Sequence, residues 1–182
     1  LERLKRVNEA SNGGFPTSSE VRSPSAAPGR EIPSAILFAC TMNAVRSPMA
    51  AAILRHLAGR GVYVGSAGVR AGEPDGFVTA VMEEIGIDLS KHQPISLAEL
   101  NDTSFDLIVT LSPEAHHQAL ELTRTMAVDV EYWPTFDASI MVGQGGREQV
   151  LDSYRNVRDL LFNKINRRFG LGGVRAFSSR SD

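Results

Sequence analysis

The chain has 182 residues, 42% of them hydrophobic and 22% charged, with a formal net charge of −2. That is enough for one domain with its own core, no apolar run reaches membrane-spanning length, and the charge balance excludes a general attraction to nucleic acid or to an acidic membrane surface. The single cysteine, Cys40, excludes an internal disulfide, a cysteine-built zinc site and a thiol relay within one chain, and a free thiol suits a reducing, cytoplasmic setting.

Residues 1–33 are rich in Ser, Pro, Gly, Asn and Glu. Such a segment buries too little to offset its ordering entropy, which predicts a disordered extension. It has no apolar core of a secretory signal, and its start at Leu1 points to a natural N-terminus that is missing or processed. Arg22-Ser23-Pro24 echoes the later Arg46-Ser47-Pro48 but follows neither a strand nor a cysteine. The domain is expected over residues 34–170, followed by a frayed, glycine- and serine-rich tail over 171–182.

Within the domain, strands and helices alternate. Ser34–Ala39 is short and apolar and reads as a buried strand. Met49–Gly59 is rich in Ala and Leu and reads as a helix, with Ser47 as its N-cap, Pro48 at the first position and Gly59 at the end. Val62–Gly65 is a second strand, followed by the small-residue turn Ser66-Ala67-Gly68. Phe77, Val78, Val81, Met82 and Ile85 recur at helical spacing before Gly86, with Glu73 and Asp75 expected on a solvated rim. Phe105–Leu111 is the third strand. Ser112-Pro113-Glu114 opens a helix running to about Thr123, with His116-His117 on its outer side. Ala127–Tyr132 is the fourth strand. Trp133–Ser139 and the glycines of 143–146 form a loop before the longest helix, 147–169. Its buried stripe is Val150, Tyr154, Val157, Leu161 and Ile165, with Arg155, Arg158, Lys164 and Arg168 facing water. The alternation implies an α/β fold with right-handed crossovers and a parallel sheet covered on both faces. No histidine has ligand spacing to carboxylates or thiols, so no metal site and no cofactor are expected.

The chemistry concentrates at Cys40-Thr41-Met42-Asn43-Ala44-Val45-Arg46-Ser47-Pro48, between the first strand and its helix. The first amides of a helix lack internal partners and the dipole there is positive. A loop curled over that end aims several N–H groups at one spot, and Arg46 adds a planar fork of donors matched to two phosphate oxygens. The same field favours a thiolate at Cys40. One loop would hold an oxyanion and supply the nucleophile that attacks it. The alternative reading of Cys40 is a small buried hydrophobe, a common fate of free cysteine.

The pattern Cys-x5-Arg-Ser after a strand resembles the phosphate loop of the low-molecular-weight protein tyrosine phosphatases and the arsenate reductases that share their fold. Cys40, Asn43, Arg46, Ser47 and Pro48 fall on it. Gly65-Ser66-Ala67-Gly68, Gly86-Ile87-Asp88-Leu89-Ser90-Lys91-His92 and Phe105–Thr110 resemble further family segments in the same order, so the likeness covers roughly residues 35–169. It implies a three-layer α/β sandwich with a four-stranded parallel sheet in the order 2-1-3-4. It also implies hydrolysis of a phosphomonoester, small or carried by a protein, through a phosphocysteine intermediate. Protein tyrosine phosphatase activity is the first expectation. Arsenate reduction with an external thiol and a catalytically weak phosphate-binding module are the alternatives.

Cys40 is then the nucleophile and Arg46 the clamp for the phosphoryl oxygens. Asp137 is the general acid, although Ala138 stands where the family usually has proline. Asp152 is the fallback, and Asp129 a structural residue. Thr41, Met42, Asn43, Ala44, Val45 and Ser47 form the substrate cradle, and Trp133 and Phe136 are expected as aromatic walls for a phenyl phosphate. The resemblance assigns Ser66 a hydrogen bond to Asn43, against the reading of a plain turn serine. It assigns His92 a place in a network behind the loop, against a partly exposed loop histidine. Met42 departs from a common glycine, Val45 from a common second cysteine, and Ala44 from the threonine that accompanies phosphoarginine specificity.

Overall fold

A computed structural model describes residues 31–101 and 104–171. The expected extension before residue 31 and the tail from 172 onward lie outside the described residues. Four strands, β1 (Ala35–Cys40), β2 (Tyr63–Gly68), β3 (Leu107–Thr110) and β4 (Asp129–Tyr132), form one parallel sheet in the order β2-β1-β3-β4. The helices are α1 (Arg46–Ala58), α2 (Gly76–Glu83), α3 (Pro113–Leu122) and α4 (Arg147–Phe169). This is the three-layer α/β sandwich and strand order expected from the sequence.

β1 explains the layering. Its alternate side chains enter different cores, as a period of two requires. Ile36, Phe38 and Cys40 join the cluster built with α1, α2 and α4, whereas Leu37 and Ala39 join the cluster that includes Ala115 and Ala119 of α3. Because both faces are covered, the strand reads as a continuous apolar run. It is central, paired with β2 from Ala35↔Tyr63 to Cys40↔Gly68 and with β3 from Ile36↔Leu107 to Ala39↔Thr110. The chain crosses to β2 on one side and to β3 on the other, so the carboxyl end of β1 is the topological switch point where such sheets bind ligands.

Helix ends follow local chemistry with one exception. Asp75 caps α2 by accepting from the amides of Phe77 and Val78. Ser112 caps α3 with Pro113 behind it. Gly170, at φ 65°, ends α4 in the left-handed conformation that glycine adopts without strain. The exception is α1. Ser47 is not its N-cap: the helix begins at Arg46, Val45 occupies the cap position and no side chain caps it. The Ser47 hydroxyl is drawn instead to the Cys40 sulfur.

The stripe expected on α4 is buried throughout, but its cations do not all face water. Arg158 is 9% exposed and donates to the Val81 carbonyl at 2.8 Å and to Glu84 at 2.7 Å. Arg155 forks onto the same Glu84, and Arg168 onto Glu131. Periodicity fixes where a Cα points, whereas a long stem can fold back over the apolar face and carry its head to a carboxylate on a neighbouring element. His116, expected on the outer side of α3, stacks on Tyr132 with centroids 4.6 Å apart and meets the Thr110 hydroxyl at 3.0 Å.

Hydrogen bonds from Arg155 outweigh the desolvation that opposes them and hold the Glu84 carboxyl below its ordinary 4.5. A depressed carboxyl contributes stability that is present above its unfolded pKa and is lost as pH falls through the folded value. Glu84→Gln should therefore lower the urea midpoint at pH 7 and lose most of that difference near pH 3. Urea titrations of both proteins at the two pH values provide the check.

Candidate active site

Cys40 ends β1 and is 2% exposed; Asn43 and Ser47 are fully buried and Arg46 is 7% exposed. Between them the loop is tied down by its carbonyls. Those of Cys40, Thr41 and Met42 accept from the amides of Val69, Arg70 and Gly72 at 2.8–2.9 Å, and the Asn43 carbonyl meets His92 Nε2 at 2.8 Å. With four successive carbonyls turned outward, the loop's amides turn inward. The N–H groups of Met42, Asn43, Ala44 and Val45 donate to no other described residue. Together with the uncapped start of α1 they form a concave row of donors, an anion nest.

Two backbone features permit this curl. Asn43 has φ 51°, a left-handed conformation that asparagine tolerates better than most residues. Gly68 lies so close to the loop that an added Cβ would come within 2.7 Å of the Asn43 nitrogen and 2.9 Å of the Met42 carbonyl carbon. The Asn43 side chain is fixed at both ends. Its Nδ2 donates to Ser47 Oγ at 2.8 Å, and its Oδ1 accepts from the Ile95 amide at 3.0 Å. The expected bond to Ser66 is not made. Ser66 sits within β2 opposite Phe38, and its neighbour Ala67 offers the loop a carbonyl, 3.3 Å from Ser47 Oγ.

Ser47 Oγ lies 3.0 Å from Cys40 Sγ. Arg46 reaches across the loop mouth. Its Nη1 donates to the Thr135 carbonyl at 3.1 Å, and its Nη2 to Asp137 Oδ2 at 3.2 Å and Thr41 Oγ1 at 3.4 Å. Its Nε–H has no partner among the described residues. The second Asp137 oxygen accepts from the Ser139 amide and hydroxyl, so the carboxylate is held at both ends. Thr41 in turn donates to Ser112, the cap of α3.

A cavity of about 210 Å³ opens over the thiol, lined by Cys40, Met42, Ala44, Val45, Arg46, Gly72, Glu73, Asp75, Asp137 and Ser139. The structure thus brings Cys40, Arg46 and Asp137 together. Asp152 lies outside, exposed and paired with Arg155. Asp129 sits on the edge strand β4. The expected aromatic walls are not there. Trp133 packs in the core between Phe38 and Phe169, at centroid distances of 6.1 and 6.3 Å. Phe136 points into a different cavity. Thr135 and Phe136 line that cavity together, whereas Asp137 and Ser139 line the one over the thiol.

Glu73 and Asp75 are more than solvated rim. Both line the cavity, and Asp75 Oδ2 also accepts from the Tyr154 hydroxyl at 2.7 Å. Burial, reinforced by Asp75, pushes the Tyr154 phenol far above its ordinary range, so it remains a permanent donor. Asp75 was expected only on the rim, and its cap on α2 emerges from the structure. So does its contact with Tyr154, 79 residues away. Among the described residues no group of His, Cys, Asp or Glu is arranged to hold a metal ion.

A parallel sheet of this order, with a cysteine loop at the switch point and an arginine–aspartate pair at its mouth, defines a class: the protein-tyrosine-phosphatase-like cysteine phosphatases of small size. Residues 35–169 match the family described as low molecular weight phosphotyrosine protein phosphatase, and the chain belongs to that family. It is 34% identical over 133 residues to a protein-arginine-phosphatase of Geobacillus stearothermophilus, covering 65% of this chain and 90% of that one. It is 29% identical over 76 residues to a glutaredoxin arsenate reductase of a Synechocystis strain, covering 42% of this chain and 58% of that protein, so the match leaves out much of that relative. The crystal structure of the Erwinia amylovora tyrosine phosphatase AmsI shares the fold, with a TM-score of 0.62 at 20% identity over 76% of this chain and 93% of that one.

Replacing Asn43 tests how the loop is held. Asn43→Ala strands the Ile95 amide and removes a donor from Ser47, a loss of about 1–3 kcal/mol per buried group left unsatisfied. The expected result is a lower urea midpoint and weaker binding of inorganic phosphate by calorimetry. An unchanged phosphate affinity would mean that the loop keeps its curl without this side chain.

Proposed function

We propose that the chain hydrolyses phosphomonoesters through a phosphocysteine intermediate. The observation that carries this reading is the convergence of a buried thiol, inward-facing amides, Arg46 and Asp137 on one cavity. The Cys40 thiolate attacks phosphorus: the S–P bond forms, the P–O bond to the leaving group breaks, and Asp137 gives its proton to the departing oxygen. Water then attacks phosphorus, Asp137 takes its proton, and the P–S bond breaks to return the thiolate and release inorganic phosphate. The loop amides and Arg46 stabilise charge on the three equatorial oxygens throughout. The Ser47 hydroxyl donates to sulfur as it leaves.

The first substrate proposed is protein phosphotyrosine. Its support is depth: a nucleophile that is 2% exposed is reached by a long, slender phosphorylated side chain and not by a short one. Neither Trp133 nor Phe136 lines the cavity, so no aromatic wall selects a phenyl group. Two observations favour a second reading, phosphoarginine. The cavity carries the carboxylates of Glu73 and Asp75, which suit a guanidinium, and a relative 34% identical is a protein-arginine-phosphatase. Ala44, where that specificity goes with threonine, argues the other way. Arsenate would fill the same loop, but with Cys40 as the only cysteine its reduction would need an external thiol. No helix among the described residues is long and apolar enough to cross a membrane. A single unprotected thiol supports placement in the cytoplasm.

Hydrolysis of phenyl phosphate, a phosphotyrosine peptide and a phosphoarginine peptide, and thiol-dependent release of arsenite, should be compared in wild type, Cys40→Ser and Asp137→Asn. The proposal expects phenyl phosphate turnover that is abolished in Cys40→Ser and reduced roughly 10²–10⁴-fold in Asp137→Asn. Arsenite release without phosphatase turnover would replace it with the reductase reading. Phosphopeptide binding with neither activity would replace it with a docking module.

A further inference from the structure

The strap that carries Asp137 has a second face. Asp137 and Ser139 look into the thiol cavity, while Thr135 and Phe136 look into another. This second cavity holds about 160 Å³ and is completed by Ser153, Asn156, Val157 and Leu160 of α4. Its lining contains no charged side chain. Phe136 is 54% exposed and Leu160 43% exposed, and Asn156 is exposed at the rim. Thr135 connects the two sites directly, because its carbonyl accepts from Arg46 Nη1.

We propose that this cavity is a subsite for the polypeptide carrying the phosphorylated residue, and that it takes one aliphatic or aromatic side chain a few residues from the phosphate. The inference rests on the phosphatase reading and names a determinant of its substrate. Three observations select the occupant. The volume lies below the ~300–1,000 Å³ of small-molecule and cofactor sites but can accept a single side chain. The uncharged lining of Phe136, Val157 and Leu160 favours an apolar side chain over Lys or Asp. The exposed Asn156 carboxamide offers one donor pair and one acceptor, which match the N–H and C=O of a peptide backbone passing over the rim.

Position supplies the rest. Phe136 and Asp137 are adjacent in the chain, so the two cavities border the same strap. An extended peptide advances ~3.3–3.6 Å per residue. With its phosphorylated side chain in the thiol cavity, it brings a residue two to four positions away to Phe136. Small phosphomonoesters cannot span this distance and report on the thiol cavity alone.

The test uses the full chain. Affinities of Cys40→Ser for fluorescent phosphotyrosine peptides are measured with Leu or Gly scanned through the four positions on either side. Leu at one position should bind roughly tenfold more tightly than Gly, the gain expected for burying part of such a side chain. Adding Leu160→Asn to Cys40→Ser should bring the Leu:Gly ratio to about one, and Leu160→Met should restore it. Thermal melts establish that each variant is folded. Equal affinity for the Leu and Gly peptides, no measurable affinity for either, or a preference that survives Leu160→Asn overturns the subsite. Phenyl phosphate turnover by the wild type is a separate readout. If it is absent while the Leu preference stands, the phosphatase reading fails and the subsite survives.

Discussion

One hydroxyl proton governs the centre of this protein. Ser47 Oγ receives a hydrogen bond from Asn43 Nδ2 and has a single proton to give, with two acceptors in range: Cys40 Sγ at 3.0 Å and the Ala67 carbonyl at 3.3 Å. When the sulfur is ionised, the proton turns to it and the longer, weaker bond to Ala67 is given up. When the sulfur is protonated, S–H donates to Oγ and the hydroxyl serves Ala67. Both states satisfy the buried atoms, so an ionisable sulfur can sit at 2% exposure without an orphaned polar group in either form. A cap role at the helix start would have consumed this hydroxyl. Val45 instead occupies the cap position and leaves the first amides of α1 uncapped by any side chain.

The backbone obeys a matching constraint. A loop that aims its amides inward must dispose of its carbonyls outward, and each buried carbonyl needs a donor. The segment from Val69 to Gly72 supplies three of them and His92 a fourth. This requires the end of β2 to run against the loop at a distance that only glycine allows at position 68. The left-handed turn at Asn43 is retained because both ends of its side chain are bonded. Nest, thiol and sheet edge therefore form one arrangement, located where β1 lies between β2 and β3.

What was legible in the sequence was local or periodic. The apolar run of β1, the serine and proline at the start of α3, the stripe along α4 and the Cys-to-Arg spacing each record their environment within a few residues. What was not legible depends on reach or on partners distant in the chain. Arg158 has the spacing of a solvent-facing residue, yet its stem folds over the core to Glu84. Ser47 looks like a cap because serine before proline usually is one, and only the nearby sulfur decides otherwise. Trp133 and Phe136 were expected as walls because they flank the acidic residue in sequence. The direction of each side chain, set by the strap's path along the sheet end, sends one to the core and the other to a separate cavity. Ser66 does not meet Asn43, because that side chain is taken up at both ends, by Ser47 Oγ and by the Ile95 amide.

The pairing of Arg46 with Asp137 limits how the site can work. As arranged, Asp137 accepts at both oxygens, from Ser139 on one side and from Arg46 on the other. Under the proposed mechanism, a carboxyl that donates a proton cannot also face a guanidinium N–H at the same oxygen, so acid catalysis by Asp137 would require the pair to part. A phosphoryl dianion entering the nest, as proposed, would provide the means. It would meet the Arg46 Nε–H, which has no partner among the described residues, and compete for Nη2 as a stronger and geometrically better matched acceptor than a single carboxylate oxygen. Arg46 need not swing away, because its other Nη stays on the Thr135 carbonyl. Anion entry and release of Asp137 would then be one exchange of partners about a fixed guanidinium.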